Sequence, residues 1–193
     1  QRKIKFEPSK SQAILLDRHR PSLDVPQLTF DGMQVPESPQ LKLLGVLFDS
    51  TLSFRAHIRS LAVRANQRLG LLRKASRILD SAGRLTVYKG FVRPIMEYAP
   101  LVWASAAHCH LHQLDLVQRR AMKVIGPSLL PSLAIRRHVY GLCYLYKLQC
   151  IPGPALLTNM VPPPARVNAA PRTRRQRQSL GGHSFQLATP LPA

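Results

Sequence analysis

The chain has 193 residues, 45% of them hydrophobic, which is enough for one domain with a core or for a small domain and a tail. Its 28 Lys and Arg residues against 9 Asp and Glu give a net charge of +19, so a polyanionic partner is the first hypothesis and a merely solubilising basic surface the alternative. Three cysteines form no paired framework, which suits the nucleus or cytoplasm. The sequence has no run of eighteen apolar residues, so no membrane partner is expected.

The first fifty residues read as short strands separated by turns. Residues 12–16 and 28–30 are apolar runs, and Asp31-Gly32 after Phe30 is a hairpin signal. Residues 41–48, mostly apolar around a single glycine, are predicted to form one continuous strand, the best buried of the set. Gly45 inside it would let another backbone approach closely.

Helical spacing replaces this pattern from Ser53 onward. The first predicted helix ends near Ser76, and Asp80 or Ser81 can cap a second, which Pro94 should kink or end. A third helix is predicted for residues 110–125, closed by Gly126-Pro127.

A fourth predicted helix, residues 133–150, has Ser132 as its candidate cap. Its second half is apolar nearly all round, so we expect it to be the central, buried helix. Residues 152–193 are rich in proline and arginine and are predicted to be mostly disordered. The expectation is an α+β chain with a β-rich region (1–52), a helical region (53–151) and a basic tail (152–193).

Four arginines lie on one flank of the first helix's apolar stripe, and Lys74 lies nearby. We call these five residues the basic row: Arg55, Arg59, Arg73, Lys74 and Arg77. Arg64 and Arg68 fall on the other flank, and no acidic residue lies between Asp49 and Asp80. Such a row can follow the phosphates of a duplex, which gives affinity without base specificity. The alternative is an ordinary solvated face.

Other candidate residues have simpler explanations. His108 and His112 would share a helix face, but no second ligand pair at a zinc spacing accompanies them, so a polar helix start is preferred. Tyr88, Tyr98 and Trp103 could stack on bases, although their helical spacing among aliphatic residues favours core packing. No catalytic residue and no metal ligand are predicted.

Several blocks, in order, resemble the reverse transcriptases of jockey-type non-LTR retrotransposons. They are FEPSKS at 6–11, LKLLGVLFD at 41–49, LSFRAHI at 52–58, Tyr88, VRP at 92–94, EYA at 97–99 and Val102-Trp103. Residues 41–49 look like the primer-grip strand of these enzymes, residues 1–52 like the edge of their palm, and residues 53–151 like their thumb.

The resemblance implies an RNA-directed DNA polymerase that holds template and primer, RNA and DNA. It also implies palm aspartates that bind Mg²⁺ in the parent enzyme and precede this sequence, together with the rest of the palm and the fingers. Lys10 would approach the phosphates of the incoming nucleotide, and Gly45 the primer end. With no Asp-Asp pair and no metal-binding cofactor site of its own, the chain alone is expected to be inactive.

Two alternatives remain open. The first is a stand-alone or domesticated basic helical protein that binds nucleic acid without any polymerase role. The second is a decayed copy, which Gly90 and Gly141 inside predicted helices favour, because each costs ~1 kcal/mol relative to alanine. Because the chain begins at Gln1, we expect a piece of a longer protein, and a Tyr-Ala-Asp-Asp block encoded upstream would support the polymerase.

Overall fold

The computed structural model describes residues 7–17, 27–126, 130–151, 153 and 159–160. Residues 1–137 and 138–193 form two compact units. The predicted α+β class is confirmed, with two small antiparallel hairpins followed by helices. The predicted region boundaries stay predictions, and the predicted disordered tail lies almost wholly outside the described residues.

Two hairpins make up the β-structure. The first pairs β1 (Thr29–Phe30) with β2 (Met33–Gln34) through Asp31 and Gly32, both at positive φ, which confirms the predicted turn. Residues 12–16 form no strand; only Ala13 makes an isolated bridge, to Glu37.

The second hairpin corrects the prediction of one continuous strand over residues 41–48. β3 (Gln40–Leu43) and β4 (Val46–Asp49) pair antiparallel, with Leu44 and Gly45 as the two-residue turn between them. Both turn residues have positive φ, 46° and 83°, as a hairpin turn that follows strand twist requires. Gly45 is therefore exposed in a turn and is not inside a buried strand.

The helical core forms around α1 (Arg55–Ala75), which ends at Ser76 as predicted. α1 packs mainly against α5 (His108–Ile125), whose start and end also match the prediction closely. Their facing apolar residues are fully buried, which removes apolar surface of both helices from water. From α1 these are Ile58, Leu61, Ala65, Leu69 and Leu72, and from α5 Leu114, Val117, Ala121 and Ile125.

Between α1 and α5 the chain forms a short interrupted helix. α2 (Ser81–Val87) begins at Asp80, whose carboxylate accepts from the Gly83 N–H at 2.8 Å, as predicted for a cap. A π turn (Tyr88–Val92) leads into α3 (Arg93–Met96), and the predicted interruption at Pro94 is thus found one turn earlier. α4 (Pro100–Trp103) follows.

The aromatic residues of this segment divide between core and surface. Tyr88 and Trp103 are fully buried, which confirms core packing for both. Burial, and secondarily the charge of Glu97, raises the pKa of Tyr88 to about 12, so its phenol stays neutral. Tyr98 is 50% exposed, and core packing was the wrong prediction for it. Its hydroxyl donates to the Leu44 carbonyl at 2.8 Å and covers the hairpin turn.

α6 (Leu133–Cys150) begins with polar contacts that hold its first turn in place. The Ser132 hydroxyl accepts from the Ile135 N–H at 3.2 Å, as predicted. Gln118 of α5 is buried, accepts from the Leu133 N–H at 2.9 Å and donates to the Pro131 carbonyl at 3.0 Å. Arg136 forms a bidentate ion pair with Glu97.

The expectation that this helix is central and buried is wrong. Among its described residues only Leu133 and Arg137 are buried, whereas Leu142 and Tyr146 are 66% and 53% exposed. The apolar character of the second half therefore lies largely at the surface. Gly90 lies in the π turn and Gly141 in α6; at neither would an added Cβ meet another atom within 4 Å.

Candidate nucleic-acid interface

The junction between the second hairpin and α1 is organised by the Asp49 carboxylate. One carboxylate oxygen accepts from the Thr51 hydroxyl and the Ser53 N–H, both at 2.8 Å. The other accepts from the Phe54 N–H at 2.8 Å and the Ser53 hydroxyl at 3.1 Å. Burial alone would raise the pKa of Asp49, but the Ser53 backbone and the other donors hold it below its ordinary value.

These hydrogen bonds hold a loop with unusual backbone geometry. Leu52 and Phe54 both have positive φ, 52° and 55°, a conformation that costs a non-glycine residue about 1–2 kcal/mol. The reversal lets the chain turn from β4 directly into the first turn of α1. Phe54 is 4% exposed and packs edge-on to Phe48 with ring centroids 5.6 Å apart.

His57 joins the same two elements from the buried side. The Leu47 N–H donates to its Nδ1 at 3.3 Å, and the residue is 2% exposed. Burial, and secondarily the positive charge of Arg64, lowers the pKa of His57, so the imidazole is neutral near pH 7. The start of α1 is thus fixed against the hairpin by both Asp49 and His57.

The structure places the basic row on the surface of this fixed helix. Arg55, Arg59, Arg73 and Lys74 are exposed on α1, and Arg77 is exposed in the turn that follows it. Within the part of the chain that the structure describes, none of the five forms a salt bridge. Arg55 and Lys74 are about 28 Å apart along the helix axis, at 1.5 Å per residue.

α5 adds a further cation to this side of α1. Arg120 donates to the Asn66 side-chain oxygen at 3.2 Å, and Asn66 lies on the same flank of α1 as Arg59 and Arg73. The sequence did not predict this neighbour, because it depends on contact between helices 54 residues apart. On the other flank of the apolar stripe of α1, the Arg68 guanidinium stacks 4.2 Å from the Phe91 ring centroid.

A groove lies between the second hairpin and the first three turns of α1. Its volume is about 700 Å³, and its lining includes Arg55, Arg59 and Arg64 together with Asp49 and hydroxyl groups of Ser53 and Ser60. We call it the junction groove. The sequence placed Arg64 on the opposite flank from the row, but the groove crosses the outer face of the helix and brings it together with Arg55 and Arg59.

The two other predicted site residues lie elsewhere. Lys10 is the exposed last residue of a single 3-10 turn, Pro8–Lys10, near the start of the described chain. Gly45 is in the hairpin turn, where an added Cβ would stand 3.3 Å from the Tyr98 ring. Tyr98 was not predicted as a partner of this turn; the only signal was its position in the EYA block.

The described residues do not fit the polymerase metal site that the resemblance implies for the parent enzyme. Among them, no three His, Cys, Asp or Glu side chains lie together where they could share an ion. His108 and His112 stack with ring centroids 6.5 Å apart, but no third such ligand joins them in the described structure. None of the described helices is both long and apolar enough to cross a membrane.

Comparison with known proteins gives sequence relatives but no structural match. The chain is 31% identical over 106 residues to the RNA-directed DNA polymerase from mobile element jockey of Drosophila funebris, covering 53% of this chain and 12% of the relative. It is 26% identical over 126 residues to the probable RNA-directed DNA polymerase from transposon X-element of Drosophila melanogaster, covering 63% and 13%. The jockey polymerase of Drosophila melanogaster matches at 24% over 178 residues, covering 84% and 19%.

No family model matches the chain, and no solved structure does. The aligned part amounts to between 12% and 19% of the length of these three relatives. Four such polymerases, from jockey in two species, X-element and BS, match the chain. The resemblance is thereby confirmed: part of this chain is similar to part of the RNA-directed DNA polymerases from jockey, X-element and BS.

Proposed function

We propose that the chain is the part of a retrotransposon RNA-directed DNA polymerase that grips the template–primer duplex. The observation that carries this proposal is the basic row, five exposed cations on and directly after one rigid helix, with no acidic residue between Asp49 and Asp80. A solvated helix face that serves only solubility ordinarily mixes both signs of charge. This one presents a single sign over about 28 Å.

The proposed contacts are between guanidinium or ammonium groups and phosphate oxygens. Such contacts fix the position of a duplex without reading its bases, which suits an enzyme that copies any template. The partners are therefore RNA and DNA, together with the remainder of the palm and fingers. The Mg²⁺ chemistry of the parent enzyme belongs to that remainder, and we expect this chain alone not to polymerise. The proposed location is the nucleus, the cytoplasm or both.

The second hairpin is the proposed support for the primer end. Its turn is exposed at Gly45, and Tyr98 holds the turn from below through the Leu44 carbonyl. The hairpin is fixed to α1 through Asp49 and His57, so primer support and duplex grip would move as one body. Lys10 keeps the role that the resemblance gives it, near the phosphates of the incoming nucleotide.

A salt titration against a blunt RNA–DNA hybrid tests the duplex grip. If all five cations of the basic row contact phosphates, the slope of log affinity against log salt is about −4.5, and it falls to about −2.7 in the double variant Arg59→Gln, Arg73→Gln. Between about 50 and about 200 mM salt the parent chain then loses about 500-fold in affinity and the variant about 40-fold. Fluorescence anisotropy with a labelled hybrid measures both.

A matched control removes two charges from the other side of the molecule. The double variant Arg68→Gln, Lys89→Gln has the same net charge as the test variant, but Arg68 stacks on Phe91 and Lys89 lies in the π turn. We expect its slope to stay within about 0.5 of the parent slope, that is, between about −4.0 and about −5.0. Equal slopes for the two double variants would show that only net charge matters and would contradict the proposed grip.

A further inference from the structure

We propose that the junction groove binds the sugar–phosphate backbone of a single unpaired strand that extends from the duplex held on the basic row. This inference rests on the proposed function and deepens it, because it assigns a second ligand class to a site that shares Arg55 and Arg59 with the basic row and adds Arg64. Its starting point is the shape of the groove. Residues of the hairpin, of the loop after it and of α1 line an open groove of about 700 Å³, a volume within the range of small-ligand pockets.

One strand of nucleic acid can lie along a groove of this volume. Arg55 and Arg59 stand one helical turn apart, and Arg64 lies about 7.5 Å further along the axis. Phosphates of one strand recur every ~3.4 Å of helix axis in a duplex, and further apart when the strand is stretched. The three guanidinium groups can therefore meet successive or alternate phosphates.

The electrostatics of the groove favour an anion over any other ligand. Asp49 is the only acidic residue among the lining side chains, and its carboxylate is engaged by the Ser53 and Phe54 N–H groups and two hydroxyls. No described residue forms a salt bridge with Arg55, Arg59 or Arg64. Three guanidinium groups thus converge on one space with their hydrogen-bonding capacity available for phosphate oxygens.

The remaining lining indicates contact with the backbone and not with bases. Its aliphatic surface comes from Val63, Ala56 and Pro39. Its polar groups include the Ser60 hydroxyl and the side-chain amides of the lining glutamines. None of the described residues that line the groove is aromatic, and stacking on aromatic rings is the usual way in which proteins hold unpaired bases. Binding should therefore be insensitive to the sequence of the unpaired strand.

The test compares a blunt RNA–DNA hybrid with the same hybrid carrying a short unpaired extension. The full chain should bind the extended hybrid about tenfold more tightly, which corresponds to one or two charge-assisted hydrogen bonds. Ser60→Trp fills the groove without changing any charge and should abolish this gain. Arg64→Gln, an exposed position outside the basic row, should reduce the gain at least about threefold.

Leu71→Trp is the matched control, since Leu71 is 51% exposed on the same side of α1 but beyond the groove. It should retain the full gain. An extension that adds no affinity to the parent chain, or a gain that survives Ser60→Trp and Arg64→Gln, would overturn the inference. Failure to bind even the blunt hybrid would instead overturn the proposed grip, so the two failures are distinguishable.

Discussion

The substitution Asp49→Asn tests whether one carboxylate holds the junction that presents the basic residues. In the parent chain its two oxygens accept four hydrogen bonds, two of them from the Ser53 and Phe54 backbone N–H groups. An asparagine amide keeps one oxygen and turns an NH₂ group toward donors, so at least one backbone N–H loses its acceptor. The positive-φ conformations of Leu52 and Phe54 then lose part of what stabilises them.

The magnitude follows from the kind of bond that is lost. A hydrogen bond to a charged group is worth about 1.5–3 kcal/mol, and Asp49 is only half-buried, so we take the lower part of that range for each bond. With about two bonds lost or neutralised, the free energy of unfolding should fall by about 3–4 kcal/mol. Urea denaturation followed by far-UV circular dichroism measures this as a lower midpoint at an unchanged m value.

Asp80→Asn is the control, because the same change is made where the side chain caps α2 through one N–H only. Asparagine caps a helix about as well as aspartate, so the loss there should be under about 0.5 kcal/mol. Because the pKa of Asp49 is lowered in the folded chain, its contribution is present above the unfolded pKa of 3.8 and is lost as pH falls below it. Equal midpoints for the two variants would refute the assigned role.

Three further predictions concern single residues. Burial lowers the pKa of His57, so below pH 6.5 the unfolded chain binds more protons than the folded chain, and stability should decrease as pH falls through that value. His57→Gln should flatten this part of the pH profile of the urea midpoint. Gln118→Ala leaves the Pro131 carbonyl and the Leu133 N–H without partners and should cost about 2–4 kcal/mol by the same measurement, whereas a loss under about 1 kcal/mol would show that water replaces the amide. Gly45→Ala places a Cβ at φ +83° and 3.3 Å from the Tyr98 ring, so it should lower the free energy of unfolding by about 1–2 kcal/mol. In a chain that also carries Tyr98→Ala, the cost of the close contact should disappear and the cost of the positive φ should remain.

Much of the helical architecture was predictable because it depends on local signals. The apolar period of α1, the Asp80 cap and the Asp31-Gly32 turn each act within a few residues, and the structure has all three. The second turn was missed because Leu44 rarely adopts positive φ and because Gly45 interrupts an apolar run that otherwise reads as a strand. No residue near Leu44 in the sequence indicates that the Tyr98 hydroxyl donates a hydrogen bond to the Leu44 carbonyl.

The candidate site divides in the same way. The basic row follows from helical spacing, so the sequence predicted its members, and the structure finds all five exposed. The junction groove does not follow from spacing, because it depends on where the hairpin lies against the outer face of α1 and on how Asp49 bends the intervening loop. The error over α6 has the opposite cause: apolar composition indicates burial only if a neighbouring surface is present to cover it.

The π turn before Pro94 sets the rotational phase of α3, which follows it directly. The Arg93 N–H donates to the Tyr88 carbonyl five residues back, so this turn holds one residue more than an α-helical turn. One residue corresponds to a rotation of about 100° around the helix axis. A deletion that restored regular winding would turn Glu97 away from Arg136 and Tyr98 away from the Leu44 carbonyl in a single step. The additional residue therefore sets the direction in which the chain leaves α3, where Glu97 contacts the start of α6 and Tyr98 contacts the hairpin turn.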